Sequence, residues 1–326
     1  MTRGLILLAG LLLAAMTLAV IAGETPLRPG DYLTALTHPG SAPGEILWTI
    51  RAPRAVMAAL VGSALGLAGA ALQGLLRNPL ADPGVLGVSA SAGLGAGVAI
   101  ALGLAAIPGA IEVSALTGAL VAGALVVTLA ARFREPETLI LLGVSISAFA
   151  GALSSLVYNL SPSPVTTAEV LSWMLGSVAN RDWPDVLTTA IPAALGALLV
   201  AWSARGLTML TLGEETAALS GLPMARFRAA AVGGAALLAG ASVAAAGIIG
   251  FVGLAAPHLV RRFAGDDPGK TLLPSALAGA GLLVLADRAA RVIPTEQVLK
   301  LGVVTALFGA PLFALVAWRA ARSWRS

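Results

Sequence analysis

The sequence predicts an all-α, polytopic membrane protein of ten transmembrane helices, and three observations carry that expectation. Of 326 residues, 58% are hydrophobic and only 11% are charged, where an ordinary soluble domain carries about 25% charged residues. Mean hydropathy is +0.91, so lipid rather than water must solvate much of the surface. The charges that do occur gather between long runs that contain none, and such runs reach the length of about 20 apolar residues that a helix needs to cross the hydrocarbon core.

Nine stretches lack Asp, Glu, Lys and Arg: 4–23, 55–76, 83–111, 113–131, 138–168, 186–204, 229–260, 271–286 and 301–318. The seventh is broken near its middle by Gly247-Ile248-Ile249-Gly250, so it is either one long helix with a loop or two short spans. Loop charge chooses between these. With ten spans and a cytoplasmic N-terminus, 13 of the 20 Lys and Arg face inward and 7 outward; with nine spans the split becomes 10 to 10. Cytoplasmic loops are the basic ones, which favours ten. The expected spans are 4–23, 55–76, 84–106, 113–131, 138–158, 186–204, 227–246, 248–264, 271–287 and 301–318. They form one domain over 1–326, with both termini cytoplasmic.

The first span has the outline of a secretory signal, with Arg3, an apolar run and then Val20-Ile21-Ala22. A signal's apolar region is typically about 7–15 residues, and this one is longer, so a retained helix is expected. Two longer outer loops, 24–54 and 159–185, carry Pro, Trp and mixed charge and should hold short surface helices. A faint internal echo links Asp82-Pro83-Gly84 with Asp267-Pro268-Gly269. Glycine, present 38 times, suits spans whose backbones approach closely. The chain has no cysteine, which removes disulfide and thiolate chemistry. The net charge of +4 is read as loop charge rather than as a nucleic-acid surface.

Gly265-Asp266-Asp267-Pro268-Gly269-Lys270-Thr271 has the look of a phosphate-binding loop. That motif needs its first glycine five residues before the second, between a strand and a helix. Here the position is Ala264, the preceding element is a membrane helix, and two aspartates would face the phosphates. The segment reads as a turn, and the chain is not expected to hydrolyse ATP. With two histidines, His38 and His258, no zinc motif is present. A Ser145–His258 pair for intramembrane proteolysis is weaker than a packing role for both. No cofactor and no metal site is expected.

A carrier driven by an ion gradient normally keeps ionisable side chains inside the membrane. The stretches above have none, only polar residues such as Gln73, Ser145, Ser147 and Ser242. Solute movement without intramembrane charge points to an outside energy source, a partner ATPase; an ion-coupled secondary transporter is the alternative. Loop 205–228 suits such a partner. Gly213-Glu214-Glu215-Thr216-Ala217-Ala218-Leu219-Ser220-Gly221-Leu222-Pro223 reads as a short helix between breakers. It is either an ordinary amphipathic connector or a coupling helix docked in a motor subunit.

Several ordered motifs then resemble one family, from about residue 48 to 318. They are Arg51-Ala52-Pro53-Arg54, Gly69-Ala70-Ala71-Leu72-Gln73-Gly74, Arg77-Asn78-Pro79-Leu80-Ala81-Asp82-Pro83 and Leu86-Gly87-Val88-Ser89. Further along come Gly250-Phe251-Val252-Gly253-Leu254, Pro257-His258, Leu285-Ala286-Asp287-Arg288, Gly302-Val303-Val304-Thr305-Ala306 and Gly309-Ala310-Pro311. On these the chain resembles the FecCD-type permeases of ABC importers, which take up iron-siderophores, haem and cobalamin.

The resemblance implies ten helices in the inner membrane and a homodimer around a central pore. It implies two cytoplasmic ATP-binding subunits and an extracytoplasmic substrate-binding protein. Arg51, Arg54 and Arg291 match arginines that meet acidic residues of that binding protein. Leu80 and the Glu137–Thr138 pair match a cytoplasmic gate, although Glu137 is charged where the cobalamin permeases carry an uncharged residue. Gly213, Glu214, Ala217, Gly221 and Pro223 fall in the segment that couples to the ATPase. The polar residues Ser145, Ser147 and Tyr158 do not discriminate among the chelates.

Overall fold

A computed structural model describes residues 2–23, 25–130, 136–161, 163–293 and 299–323. Among them there is no strand. The chain runs α1 (Thr2–Ile21), α2 (Pro29–Thr37), α3 (Ala42–Glu45), a π-helical turn Ile46–Arg51 and α4 (Ala52–Leu76). A 3₁₀ turn Pro83–Leu86 leads to α5 (Val88–Ala101), and a second one, Leu104–Ala106, precedes α6 (Ala110–Ala130) and α7 (Pro136–Asn159). Then follow α8 (Pro164–Met174), α9 (Trp183–Leu210), α10 (Glu214–Leu219), α11 (Met224–Ala246), α12 (Val252–Ala264), α13 (Pro268–Val292) and α14 (Leu301–Ser323).

Among the described residues, seven helices are long and apolar enough to cross a membrane: α1, α6, α7, α9, α11, α13 and the continuous run Ala42–Leu76. Val88–Ala101 and Leu301–Pro311 are apolar but shorter. Two spans expected at full length are cut down. The 84–106 span yields only α5, because Gly87 at φ 77° and Gly103 at φ 72° stop the helix on both sides. The 248–264 span yields α12, which starts after the break at 247–251, where Phe251 takes φ 67°. The outer loops behave as expected, with α2, α3 and the π turn in the first and α8 in the second.

The centre of the bundle is α4, against which α9, α11, α12 and α13 pack. Its membrane window is 72% buried and that of α11 is 78% buried, whereas those of α1 and α7 are 11% and 17% buried. Composition explains the order. Lipid tails give no hydrophobic drive for one apolar helix to bury against another, so close contact falls to the helices with the smallest side chains. Where α4 crosses α13, a Cβ on Gly62 would overlap the Gly279 carbonyl oxygen, and where it meets α12 one on Gly69 would overlap the Gly253 carbonyl. Any larger residue there separates the backbones. Leucine-rich α1 takes an outside place, though Ala15 and Ala19 are buried and it packs on α13 and α4.

Polar contacts gather at two ends. One end carries the starts of α4 and α9, the end of α13 and the break at 247–251. There Ser177 N–H donates to the Ala246 carbonyl at 2.7 Å and Leu301 N–H to the Gly176 carbonyl at 2.9 Å. These bonds satisfy backbone that has left the helices, as a chain in lipid requires. The other end carries α10 and the turn between α12 and α13.

Candidate functional site

At the α4 end the three arginines expected on an exposed docking face are drawn into the chain. Arg54, in the first turn of α4, forks onto Asp287 of α13, with Nε 3.1 Å from Oδ1 and Oδ2 and Nη2 2.9 Å from Oδ1. Arg291 reaches the same carboxylate, Nη2 to Oδ2 at 3.2 Å, one helical turn further along. The side chains of Arg54, Asp287 and Arg291 are 14%, 4% and 4% exposed. Arg51 donates to the Val20 and Ile21 carbonyls at 3.2 and 2.6 Å, and to the Thr25 carbonyl. A cation on the last carbonyls of α1 complements the negative end of the helix dipole. The sequence reading missed Asp287 as the residue that joins Arg54 to Arg291, although Asp287 and Arg291 at i, i+4 were legible.

Around this cluster the rim is tied by further polar bonds. Arg181 Nη1 lies 2.9 Å from Glu112 Oε1. Trp183 Nε1 donates to the Trp48 carbonyl at 2.9 Å, and Trp48 Nε1 to the Ala35 carbonyl at 3.0 Å. Tyr32 donates its hydroxyl to the Ile21 carbonyl at 2.8 Å.

At the opposite end the short helix expected between breakers is α10. Gly213 at φ 102° and Gly221 at φ 84° bracket it, a region in which L side chains are strained, so both turns depend on glycine. Glu214 is partly exposed but is held by a partner within the chain. Its Oε1 meets Arg228 Nη2 of α11 at 2.5 Å, which pins the helix start. Ala217 is buried at 1% exposure and seats α10 against α9. Pro223 precedes the first residue of α11. What the loop does present is Leu212 and Leu219, 70% and 85% exposed; neither was singled out in sequence.

The segment before α5 is wedged in the same half of the bundle. Arg77 ends α4 in the left-handed conformation, φ 48°. Asn78 Oδ1 accepts from Leu80 N–H at 2.9 Å, leaving the Leu80 side chain 43% exposed. The 3₁₀ turn then packs on α7, where Ser147 Oγ donates to the Gly84 carbonyl at 3.5 Å. Thr138 lies half-buried in the first turns of α7; the Glu137 side chain lies outside the described residues. The structure thus brings the turn that follows Leu80 against α7 at Gly143 and Ser147.

The segment with the look of a phosphate loop is a helix cap. Asp267 Oδ1 accepts from Gly269 N–H at 3.0 Å and from Thr208 Oγ1 at 2.6 Å, and Lys270 Nζ lies 3.1 Å from Oδ2. Partial burial works to raise the Asp267 carboxyl, but the bonds from Thr208, Lys270 and Gly269 outweigh it and hold the group below its ordinary value. Phosphate oxygens would meet a carboxylate here, not a free backbone cradle.

Between α5, α6 and α7 lies a cleft of about 720 Å³ whose lining includes Ser91, Ser114, Ser145, Phe149 and Leu153 and holds no ionisable side chain. Ser145 donates its hydroxyl to the Leu141 carbonyl at 2.8 Å, and Tyr158 points to the Met174 sulfur at 2.6 Å. Among the described residues no three His, Cys, Asp or Glu side chains converge as a metal site.

Comparison with known proteins gives one answer. The sequence profile of the FecCD transport family matches residues 11–319. The vitamin B12 import system permease protein BtuC of Shigella flexneri is 38% identical over 325 residues, covering 98% of this chain and 96% of that protein. The BtuC protein of Escherichia coli O1:K1 / APEC matches at the same 38% identity and the same coverage. Among solved structures, one assigned to the metal-chelate type of ABC transporter, in an inward-facing conformation, superposes with a TM-score of 0.85. It is 29% identical and the match covers 98% of this chain and 100% of the other.

Proposed function

The chain belongs to the FecCD transport family, and from that premise we propose that it is the permease subunit of an ABC importer that moves a metal chelate into the cytoplasm. The carrying observation is the end-to-end match to vitamin B12 import permeases, 38% identical across 98% of this chain. The chelate is an iron-siderophore, haem or cobalamin, with cobalamin supported by those relatives. Chain and cleft fit the task. A wall without charge binds a bulky cargo weakly, so it need not hold the cargo tightly, and selectivity belongs to the protein that delivers it.

The chain sits in the inner membrane and crosses it ten times with both termini in the cytoplasm. The seven long helices supply seven crossings, and α5, α12 and α14 supply three more. At 1.5 Å per residue, α12 spans only about 20 Å, so it completes its crossing through the non-helical stretch 247–251. Such backbone is tolerated at membrane depth when it is packed inside protein. The loop charges, 13 inward against 7 outward, support this orientation, which puts α10 inside and Arg54 outside.

The partners follow from the family. Two copies of the chain form the permease, two ATP-binding subunits sit beneath it, and a substrate-binding protein docks at the outer end near Arg51, Arg54 and Arg291. The chain carries no ATPase site; its Gly213–Pro223 segment receives the motor, with Gly213, Glu214, Ala217, Gly221 and Pro223 shaping the loop and Leu212 and Leu219 touching the partner. Leu80, Glu137 and Thr138 form the cytoplasmic gate. The absence of ionisable side chains in the cleft speaks against an ion-coupled carrier.

Reconstitution tests the whole reading. The chain, its ATPase and its binding protein are placed in vesicles, and uptake of labelled cobalamin, haem and ferric siderophore is followed with and without internal ATP. ATP-dependent uptake of one chelate is expected. Uptake driven by an ion gradient without the ATPase would overturn the importer reading.

A further inference from the structure

Two of the three arginines assigned to docking, Arg54 and Arg291, are already occupied by a carboxylate, while Arg51 is held by backbone carbonyls. Arg54 presents Nε and Nη2 to Asp287 in the two-bond fork that an arginine offers a carboxylate. Arg291 shares Oδ2 with the Arg54 Nε, its Nη2 lying 3.2 Å away, and its Nε donates to the Asp287 carbonyl at 3.4 Å. Side-chain exposures of 14%, 4% and 4% for Arg54, Asp287 and Arg291 leave little room for a second carboxylate beside the first. An incoming acidic side chain can reach these guanidiniums only if they turn outward and leave Asp287.

We propose that Asp287 is an internal competitor of the binding protein, holding Arg54 and Arg291 inward in the undocked chain and exchanging them for the partner's carboxylates on docking. The proposal rests on the docking reading above and adds its regulation. The cost of releasing Asp287 is then subtracted from docking affinity. That keeps the complex weak enough to dissociate after each delivery, because an equilibrium shifts only by the difference between the two sets of contacts. The exchange also acts on the central packing. Arg54 begins α4 and Asp287 lies near the end of α13, two helices in backbone contact at Gly62 and Gly279. Breaking the cluster unties their outer ends while the glycine contact holds below.

The test uses the full transporter in lipid nanodiscs and its purified substrate-binding protein as analyte, with binding followed by surface plasmon resonance at fixed ionic strength. Asp287→Asn keeps the side chain's shape and removes the competing charge, and is expected to lower Kd about tenfold, equivalent to about 1.4 kcal/mol. Unchanged or weaker binding overturns the proposal and makes Asp287 a residue that orients the arginines. If Asp287→Asn alone does not assemble, Arg291→Gln is compared with Asp287→Asn/Arg291→Gln, where the two losses of charge offset each other. The double variant must bind more tightly than the single one, and equal or weaker binding again overturns the proposal.

Phenylglyoxal labelling of Arg54, read by mass spectrometry without any partner, supplies an independent readout. It should be slow in the native chain and at least about fivefold faster in Asp287→Asn, in line with loss of a charged fork; equal rates overturn the proposal. The docking reading fails separately, on Arg54→Glu and Arg291→Glu leaving binding intact.

Discussion

At the end of the bundle that the proposed orientation turns outward, Arg54, Asp287 and Arg291 form one cluster with side chains 14%, 4% and 4% exposed. At the end that orientation turns inward, Glu214 meets Arg228 while 39% exposed, and Leu219 of the same helix is 85% exposed. The first end buries three charged side chains together, whereas at the second a charged pair stays partly exposed beside an exposed leucine. The difference teaches what each end is built to meet. A buried carboxylate holding two guanidiniums is a set of charges kept in reserve, available only when another acid replaces the first. Leu219, at the end of a six-residue helix bracketed by glycines, and Leu212 just before that helix are contacts waiting for a groove. Under the proposed orientation and partners, the outer end would suit docking that must be reversible, and the inner end a standing attachment.

Four measurements sharpen or break that contrast. The largest effect is expected from Asp287→Ala, which leaves two buried guanidiniums without their carboxylate and should cost about 3 kcal/mol of stability, read as a lowered midpoint of SDS-induced unfolding. A loss below about 1 kcal/mol, the range of an exposed pair, would mean that the outer cluster is no more buried in energy than the inner one. Next comes Leu219→Asp, which should cut ATP hydrolysis by the assembled transporter about tenfold, about 1.4 kcal/mol of coupling. Binding-protein affinity should stay unchanged, and equal hydrolysis would remove Leu219 from the motor contact.

Glu214→Ala should cost below about 1 kcal/mol in the same unfolding assay, because the pair is partly exposed. A loss as large as that of Asp287→Ala would erase the distinction between the ends.

The smallest effect concerns acid. The Asp267 carboxyl is held below its ordinary value of 3.8. A lowered carboxylate contributes stability that is fully present above the unfolded value and is lost as pH falls through the folded one. Native protein should therefore lose its advantage over Asp267→Asn as pH drops below about 4, measured as thermal midpoints. A constant difference down to pH 2 would show that the cap acts through shape alone.

Some of this was open to view in the residues and some was not, and the two Asp-Pro-Gly turns show where the line falls. Both aspartates cap as their sequence suggests, Asp82 accepting from Gly84 N–H at 2.8 Å and Asp267 from Gly269 N–H at 3.0 Å. The first cap starts one 3₁₀ turn of four residues and the second a helix of 25. Gly87, visible in sequence, stops the first. What places the turn on α7, and Asp82 beside Gly253 of α12, is packing between segments more than 50 residues apart in the chain, which no local pattern encodes. The short helix 214–219 was legible for the same local reason, since Gly213, Gly221 and Pro223 bound it.

Sequence by itself determined the class of molecule, the charge-free spans, the break at 247–250, the helix between breakers and the family, because each rests on composition, periodicity or an ordered motif. Only the tertiary structure decided what the charged residues do. Arg54 and Arg291 are far apart along the chain from one another, and whether either faces a partner or an internal acid depends on how α4 lies against α13. That crossing is fixed by backbone contact at Gly62 and Gly279. A side chain's partner in a membrane bundle is set by which helices can come close, and closeness is a property of pairs of helices rather than of any one of them.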